Sequence, residues 1–244
     1  MHTNKPMKKW IGGVGVAVLC LGALFLAVTF SGMHRTLGRT APAPQPIDVA
    51  PVRARADLGE ARAQLELGNL HARGEGVIRS YAEAAKWYRR GAEQGNAEAQ
   101  VALGELYQAG QGVPKDLAEA GKWFHLAASQ GNVRAEYSLG FMYETGRGLP
   151  QDQVQAAKWY RLAAEQGEPL SQFDLGQRYD LGAGVPVDLV EALKWLDLAA
   201  AQGQTDAAER RKTVKRKMTR KEIAEAQRRA ASFSTNQASG PPTR

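Results

Sequence analysis

The sequence has little cysteine and few histidines, and these absences exclude several kinds of site. Cys20 is the only cysteine among 244 residues, so one chain cannot form an internal disulfide or a zinc site built from several cysteines. The four histidines include no H-x-x-x-H pair, and no glycine-rich phosphate loop or G-x-S-x-G elbow occurs. The sequence therefore predicts no catalytic residue, no cofactor and no metal, and we do not expect an enzyme.

Net positive charge is also absent from the largest part of the chain. The formal net charge is +7, but residues 57–204 contain six more acidic than basic side chains. The basic excess is confined to residues 1–56 and 205–244. Because a nucleic acid requires a basic face, binding to nucleic acid is not expected of the central block.

One long segment lacks charged residues, from Ile11 to Phe30. At about 1.5 Å per residue such a helix is about 30 Å long, which is the thickness of the hydrocarbon core of a bilayer. Lysines and Trp10 precede the segment, which predicts a signal-anchor transmembrane helix at 11–30 behind a short cytoplasmic tail at 1–10. A cleaved signal peptide is the alternative, although Thr29-Phe30-Ser31 makes a poor cleavage site.

Residues 31–56 are predicted to be an extended linker between this helix and a folded domain, because they are rich in proline and alanine. The expected location is the inner (cytoplasmic) membrane, crossed once, with the folded domain on the periplasmic side. The alternative is the opposite topology, in which a cytoplasmic basic C-terminal tail binds anionic lipid or nucleic acid.

A repeat of 36 residues dominates the sequence between 61 and 204. Leu67-Gly68, Lys86-Trp87 and Gly95 each recur three more times at this spacing without an insertion. In the second copy, apolar residues at helical spacing predict a first helix that ends near Gly110, and Asp116 is a good N-cap for a second helix. One such helix pair cannot bury its own apolar faces, so stacked copies are expected to form an all-α solenoid.

These residues resemble the Sel1-like repeat, a relative of the tetratricopeptide repeat. The second copy matches the family pattern at Ala99, Leu103, Gly104, Tyr107, Gly110, Gly112, Val113, Asp116, Ala120, Trp123, Ala127, Ala128 and Gly131. The first copy departs most, with His71, Ile78 and Ser80 in place of tyrosine, proline and aspartate. The resemblance implies a right-handed α-solenoid of four helix-turn-helix repeats at 61–96, 97–132, 133–168 and 169–204.

The resemblance also implies the function of a scaffold or adaptor that binds a peptide or helix of a partner protein in its concave groove. The bacterial cell envelope is the expected setting. The alternative from another class is an accessory protein or hydrolase for the cell wall or for secretion, although the sequence contains no candidate catalytic residues for it.

If the residue pattern of tetratricopeptide grooves also applies to this chain, two sets of first-helix residues line the groove. Each set, called a column here, takes the equivalent position from every repeat. One column is Leu65, Val101, Tyr137 and Phe173, and the other is Asn69, Glu105, Phe141 and Gln177. Phe141 is the candidate of first choice because it is the only aromatic residue in a polar column, one helical turn after Tyr137. Phe173, Glu105 and Gln177 complete the candidate site, whereas His125 is expected to be a surface residue.

The C-terminal region at 205–233 is predicted to form basic capping helices, with Thr219 and Glu222 as a capping box. Eight basic residues between Arg210 and Lys221 indicate contact with anionic lipid or nucleic acid, or a solvated polar face of the cap. Nucleic acid is disfavoured because no aromatic residues are interleaved with the cluster. The solvated face is the favoured interpretation. Residues 234–244 are expected to be a disordered tail.

Overall fold

The computed structural model describes residues 48–239, with side chains through Thr235. Every regular element in this range is a helix. The helices are α1 (Ala50–Asp57), α2 (Ala61–Arg73), α3 (Tyr81–Glu93), α4 (Ala97–Ala109), α5 (Leu117–Ala128), α6 (Val133–Thr145), α7 (Gln153–Glu165), α8 (Pro169–Leu181), α9 (Leu189–Ala201), α10 (Thr205–Lys215) and α11 (Arg220–Ser239).

The predicted cytoplasmic tail, transmembrane helix and first part of the linker lie outside the described residues. Among residues 48–239, no helix is both long enough and apolar enough to cross a membrane. The expected all-α solenoid is confirmed, since α2 to α9 form four successive helix pairs in which each second helix also packs on the next first helix.

Glycine determines the turn between the two helices of each repeat. In the second repeat, Gly110 ends α4 with φ +72° and donates its N–H to the carbonyl of Leu106 at 2.8 Å. Such a left-handed end is readily adopted only by glycine. A Cβ on Gly112 would lie 2.2 Å from the backbone carbonyl carbon of Tyr81, so this turn also packs directly on the start of the preceding second helix.

Small residues let the two helices of a repeat cross closely, and aromatic residues fill the space around them. A Cβ on Gly104 would meet the ring of Phe124 at 2.8 Å, and both Phe124 and Ala120 are fully buried. Trp123 packs against a cluster that joins residues of the first repeat, such as Ala92, to residues of the second, such as Leu106. The apolar core therefore continues from one repeat to the next, as expected for a solenoid.

The expectation of an extended linker through residue 56 is wrong from Ala50 onward, because residues 50–57 form α1. Pro51 lies in the first turn of this helix, where its missing N–H costs nothing. Ala56 is 1% exposed, and its carbonyl accepts a hydrogen bond from Gln64 at 3.2 Å. Gln100 binds the carbonyl of Ala92 in the same way. Thus α1 corresponds to the end of a second helix and caps the first repeat.

At the other end, α10 packs on α9 as a further first helix, and α11 also packs on α9. The predicted capping box is present, since Thr219 N donates to Glu222 Oε2 at 2.7 Å and Glu222 N donates to Thr219 Oγ1 at 3.3 Å. The tail predicted from residue 234 is wrong as far as Ser239, which ends α11. Residues 240–244 lie outside the described part of the chain.

Much of the basic C-terminal cluster is engaged in ion pairs with the repeats. The carboxylate of Asp180 has no exposed surface and lies 2.6 Å from both Arg210 and Lys217. Asp197 pairs with Arg211 at 3.2 Å and Lys215 at 3.7 Å. These basic residues therefore attach α10 and the turn after it to the fourth repeat.

A candidate partner-binding site on the first helices

Tyr137 and Phe141, the two candidates that are neighbours on α6, lie on one face of that helix. Both are half-buried against the apolar cluster that contains Tyr160 and Leu175. The rings of Tyr137 and Tyr160 are 5.7 Å apart, and burial raises the pKa of Tyr137 to about 12. Tyr137 therefore keeps its hydroxyl proton at neutral pH and can donate a hydrogen bond.

The predicted column of Leu65, Val101, Tyr137 and Phe173 does not form one continuous surface. Val101 is fully buried in the core, so its prediction as a groove residue is wrong. The cause is geometric, because a small β-branched side chain at this position does not reach beyond the core. Phe173 is half-buried against the next cluster, which contains Leu193 and Leu196, and Leu65 is half-buried in the first repeat.

The polar column gives a mixed result. Glu105 is exposed and forms an ion pair with Arg134, so part of its charge is already satisfied. Gln177 is half-buried on α8, and Asn69 accepts a hydrogen bond from the hydroxyl of Tyr88 at 2.8 Å. Tyr137 and Phe141, one turn apart on α6 and packed against the same cluster, thus form the aromatic surface of the candidate site.

A polar network beside this aromatic surface was missed by the sequence analysis. The hydroxyl of Tyr160 donates to Glu144 Oε2 at 2.7 Å, and Arg178 Nη2 lies 2.7 Å from Glu144 Oε1. Arg178 is only 3% exposed, and its guanidinium lies 5.0 Å from the centre of the Tyr160 ring. The network joins α6, α7 and α8 and holds the carboxylate of Glu144 in place.

Arg178 departs from its column in a way that is visible in the sequence. The equivalent positions in the first three repeats are Leu70, Leu106 and Met142, and all three side chains are buried. A buried charge costs several kcal/mol unless it is paired. The replacement of an apolar core residue by arginine was therefore the signal that an acidic partner, here Glu144, lies nearby.

Asp174, one helical turn before Arg178 on α8, is the most perturbed carboxyl group of this region. Burial and then the charge of Glu144 raise its pKa to about 7, although Arg178 opposes the shift. Among the side chains described through Thr235 and the described backbone, no donor forms a hydrogen bond with the Asp174 carboxylate. Its charge also raises the pKa of Tyr137 and Tyr160.

The combination of aromatic rings with a carboxylate suits a cationic or hydrogen-bond-donating group. The faces of tyrosine and phenylalanine attract ammonium and guanidinium groups, and Asp174 supplies an acceptor. In contrast, the described residues contain no group of three or more His, Cys, Asp or Glu side chains that could hold a metal ion.

His125, which is expected at an exposed position, is half-buried. Its ring lies 5.6 Å from Trp159 and 5.9 Å from Tyr143, and its Nε2 is 3.2 Å from the Tyr143 hydroxyl. Burial lowers the pKa of His125. The neighbouring repeats place Arg89 and Arg161 here, which donate to Tyr107 and Tyr179 respectively. His125 thus fills a structural position between successive repeats.

The model of the Sel1 repeat family matches the chain at residues 61–96, 97–132, 133–168 and 169–204, which is more than half of its length. The chain belongs to the Sel1 repeat family. Proteins with these repeats are generally scaffolds for protein–protein interaction, and the fold is typically not that of an enzyme. No curated protein matches the chain.

Two solved structures are similar to this Sel1 repeat chain. A protective antigen of uropathogenic Escherichia coli with an SLR fold is 34% identical, with a TM-score of 0.69 over 75% of this chain and 40% of that chain. A Sel1 repeat protein from Oxalobacter formigenes is 37% identical, with a TM-score of 0.65 over 68% of this chain and 48% of that chain. The chain therefore spans less than half the length of either relative.

Proposed function

We propose that this protein is a scaffold or adaptor that binds an extended or helical segment of a partner protein on the first helices of its third and fourth repeats. The observation that supports the proposal is the surface formed by Tyr137 and Phe141 beside the carboxylate of Asp174. Aromatic residues of this kind are common anchors of protein interfaces. A partner segment with a lysine or arginine side chain next to an apolar residue matches this surface.

Charge adds to this match. The network leaves Asp174 without a hydrogen bond from a described residue, whereas Glu144 is bound by Arg178 and Tyr160. A cation placed at Asp174 favours the ionised form, and it therefore lowers the pKa from about 7. Partner binding is consequently expected to weaken below pH 7, since protonation of Asp174 removes the attraction.

Photo-crosslinking in cells tests the proposal. A photoreactive residue at Phe141 is expected to capture a discrete partner, and one at Gln111, an exposed turn residue, is the control. Asp174→Asn keeps the shape of the side chain and removes its charge, so it is expected to reduce the yield from Phe141 at least about tenfold. Equal crosslinking from both positions, or a yield unaffected by Asp174→Asn in a folded protein, contradicts the proposed site.

We further propose that the scaffold acts at the inner membrane of the bacterial envelope, anchored through residues 11–30 with the repeats on the periplasmic side. The apolar segment and its preceding lysines support this location. A reporter enzyme that is active only outside the cytoplasm, fused after Arg244, is expected to be active. Activity of a cytoplasm-only reporter at the same position contradicts this topology.

The cluster of basic residues from Arg210 to Lys221 supports a smaller contribution from anionic lipid. Arg216, Arg220 and Lys221 are exposed, whereas several of the other members pair with carboxylates. Sedimentation with anionic vesicles, compared between the native chain and one with these three residues changed to glutamine, measures this contribution. Equal sedimentation of the two chains excludes it.

A further inference from the structure

The C-terminal helix α11 shows how a helix docks on the outer face of a second helix of this solenoid. Phe233 packs edge-to-face on Trp195 with the ring centres 5.2 Å apart. Lys194 Nζ lies 4.2 Å from the centre of the Trp195 ring and 5.5 Å from that of Phe233. Arg229 donates to Glu191 Oε1 at 2.7 Å. The docking face on α9 thus combines one carboxylate, one lysine and one tryptophan.

The end of α11 also borders a cavity between the last turns of α7 and α9. Its lining residues, besides Phe233 and Ser234 of α11, are Gln166, Gly167, Gln172, Leu198, Ala201 and Gln202. Leu198 is 7% exposed beneath α11. Together with Glu191, Lys194 and Trp195, these six residues are the helix-docking face of the fourth repeat.

The second repeat contains nearly the same face without a helix on it. Counting back 72 residues, the face consists of Gln94, Gly95, Gln100, Glu119, Lys122, Trp123, Leu126, Ser129 and Gln130. Only Ser129 differs in residue type from its counterpart, Ala201. Leu126 is 49% exposed, whereas Leu198 is 7% exposed. The Lys122 side chain is 72% exposed, whereas that of Lys194 is 15% exposed.

The other two repeats depart at positions that matter for docking. In the third repeat, Glu136 and Glu165 replace Gln172 and Ala201, and Gln155 replaces Glu191. In the first repeat, Arg90 replaces Leu198. A docking helix would therefore meet an added charge in each. The similarity to the occupied face is closest in the second repeat, although all four repeats share the same fold.

We infer that the outer face of α5 in the second repeat is a docking site for an amphipathic helix of a partner protein with the chemistry of α11. Such a helix has an arginine one turn before an aromatic residue, as Arg229 precedes Phe233, with alanines on the same side. Its arginine pairs with Glu119, and its aromatic ring packs on Trp123 over Leu126. This site is on a different face from the one proposed for Tyr137 and Phe141 and does not depend on it.

A labelled synthetic peptide of residues 219–239 is the probe, and fluorescence anisotropy with the full chain is the measurement. We expect saturable binding that Leu126→Glu weakens at least about tenfold. The equivalent change in the third repeat, Leu162→Glu at a residue that is 44% exposed, is expected to leave binding unchanged. Because both leucines are exposed, neither variant should unfold the chain.

A charge exchange tests the geometry of the contact. Glu119→Lys is expected to weaken binding of the native peptide, and a peptide with Arg229→Glu is expected to recover binding to that variant. Absence of binding overturns the inference. Binding that is insensitive to Leu126→Glu but lost with Leu198→Glu also overturns it, because the peptide then replaces α11 on the fourth repeat. Self-association of the chain that Leu126→Glu abolishes also overturns it, because the occupant is then a second copy.

Discussion

Replacing Glu136 by glutamine is expected to stabilise the fold at neutral pH. Glu136 is 3% exposed and belongs to a ladder of side chains in which the other repeats have Gln64, Gln100 and Gln172. Each of these glutamines donates to a backbone carbonyl eight residues earlier, at 3.0–3.2 Å. An ionised glutamate cannot donate, so in the third repeat this bond is lost at neutral pH.

The magnitude follows from the pKa of Glu136, which burial raises from 4.5 to about 6 although a hydrogen bond from Gln166 opposes the shift. At about 1.4 kcal/mol per pKa unit, the ionised carboxylate costs at most about 2 kcal/mol. A gain of roughly 1 to 2 kcal/mol is therefore expected for Glu136→Gln at pH 8. The bond from Gln166, at 2.8 Å, is retained because glutamine also accepts.

The raised pKa of Glu136 determines the pH range in which Glu136→Gln stabilises the fold. Because the folded state binds the proton more tightly, the native chain is relatively most stable below pH 4.5 and loses that stability as the pH rises through about 6. The gain from Glu136→Gln should therefore be present at pH 8 and close to zero at pH 4.5.

Urea unfolding followed by circular dichroism at both pH values measures this gain. Gln100→Glu in the second repeat is the matched reverse change and should destabilise the chain at pH 8. A gain that is absent at pH 8, or equal at both pH values, refutes the reasoning.

Two further changes test the turns and the cap by the same unfolding measurement. Gly112→Ala is expected to cost more than about 2 kcal/mol, because the added Cβ meets the Tyr81 backbone at a φ of +70°. Gly95→Ala, with open space around its Cβ, should cost only about 1 kcal/mol. Equal losses would contradict the contact between Gly112 and Tyr81. Asp180→Asn is expected to cost about 3 kcal/mol, since it leaves Arg210 and Lys217 without their buried partner. A loss below about 1 kcal/mol would show that this ion pair does not hold the cap.

Repeated features of this chain could be predicted because the same physical constraint recurs four times. Glycines at the helix ends, small residues at the crossings and N-caps such as Asp116 are local requirements, and each is visible at a spacing of 36 residues. The α1 helix was missed because it contains only the end of a repeat unit. Ala56 of α1 and Val49, the residue just before the helix, are buried, and they form a core only together with residues of α2 such as Ala63 and Leu67.

The candidate site was predicted in part. Periodicity placed Tyr137 and Phe141 on one face of one helix, since residues four apart on a helix are neighbours. It could not show that Val101 is buried whereas Tyr137, in the same column, is half-exposed. That difference depends on whether the side chain extends past the core, and the neighbouring repeat determines where the core ends.

The sequence by itself determined the all-α class, the number and boundaries of the repeats and the family to which the chain belongs, because these follow from local periodicity. Only the tertiary structure decided which charges are satisfied. Asp174 and Asp180 are both acidic residues on α8, yet Asp180 is clamped by Arg210 and Lys217 whereas Asp174 has no hydrogen-bond donor among the described residues. The partners of Asp180 lie 30 and 37 residues later in the chain, and only folding brings them to this carboxylate.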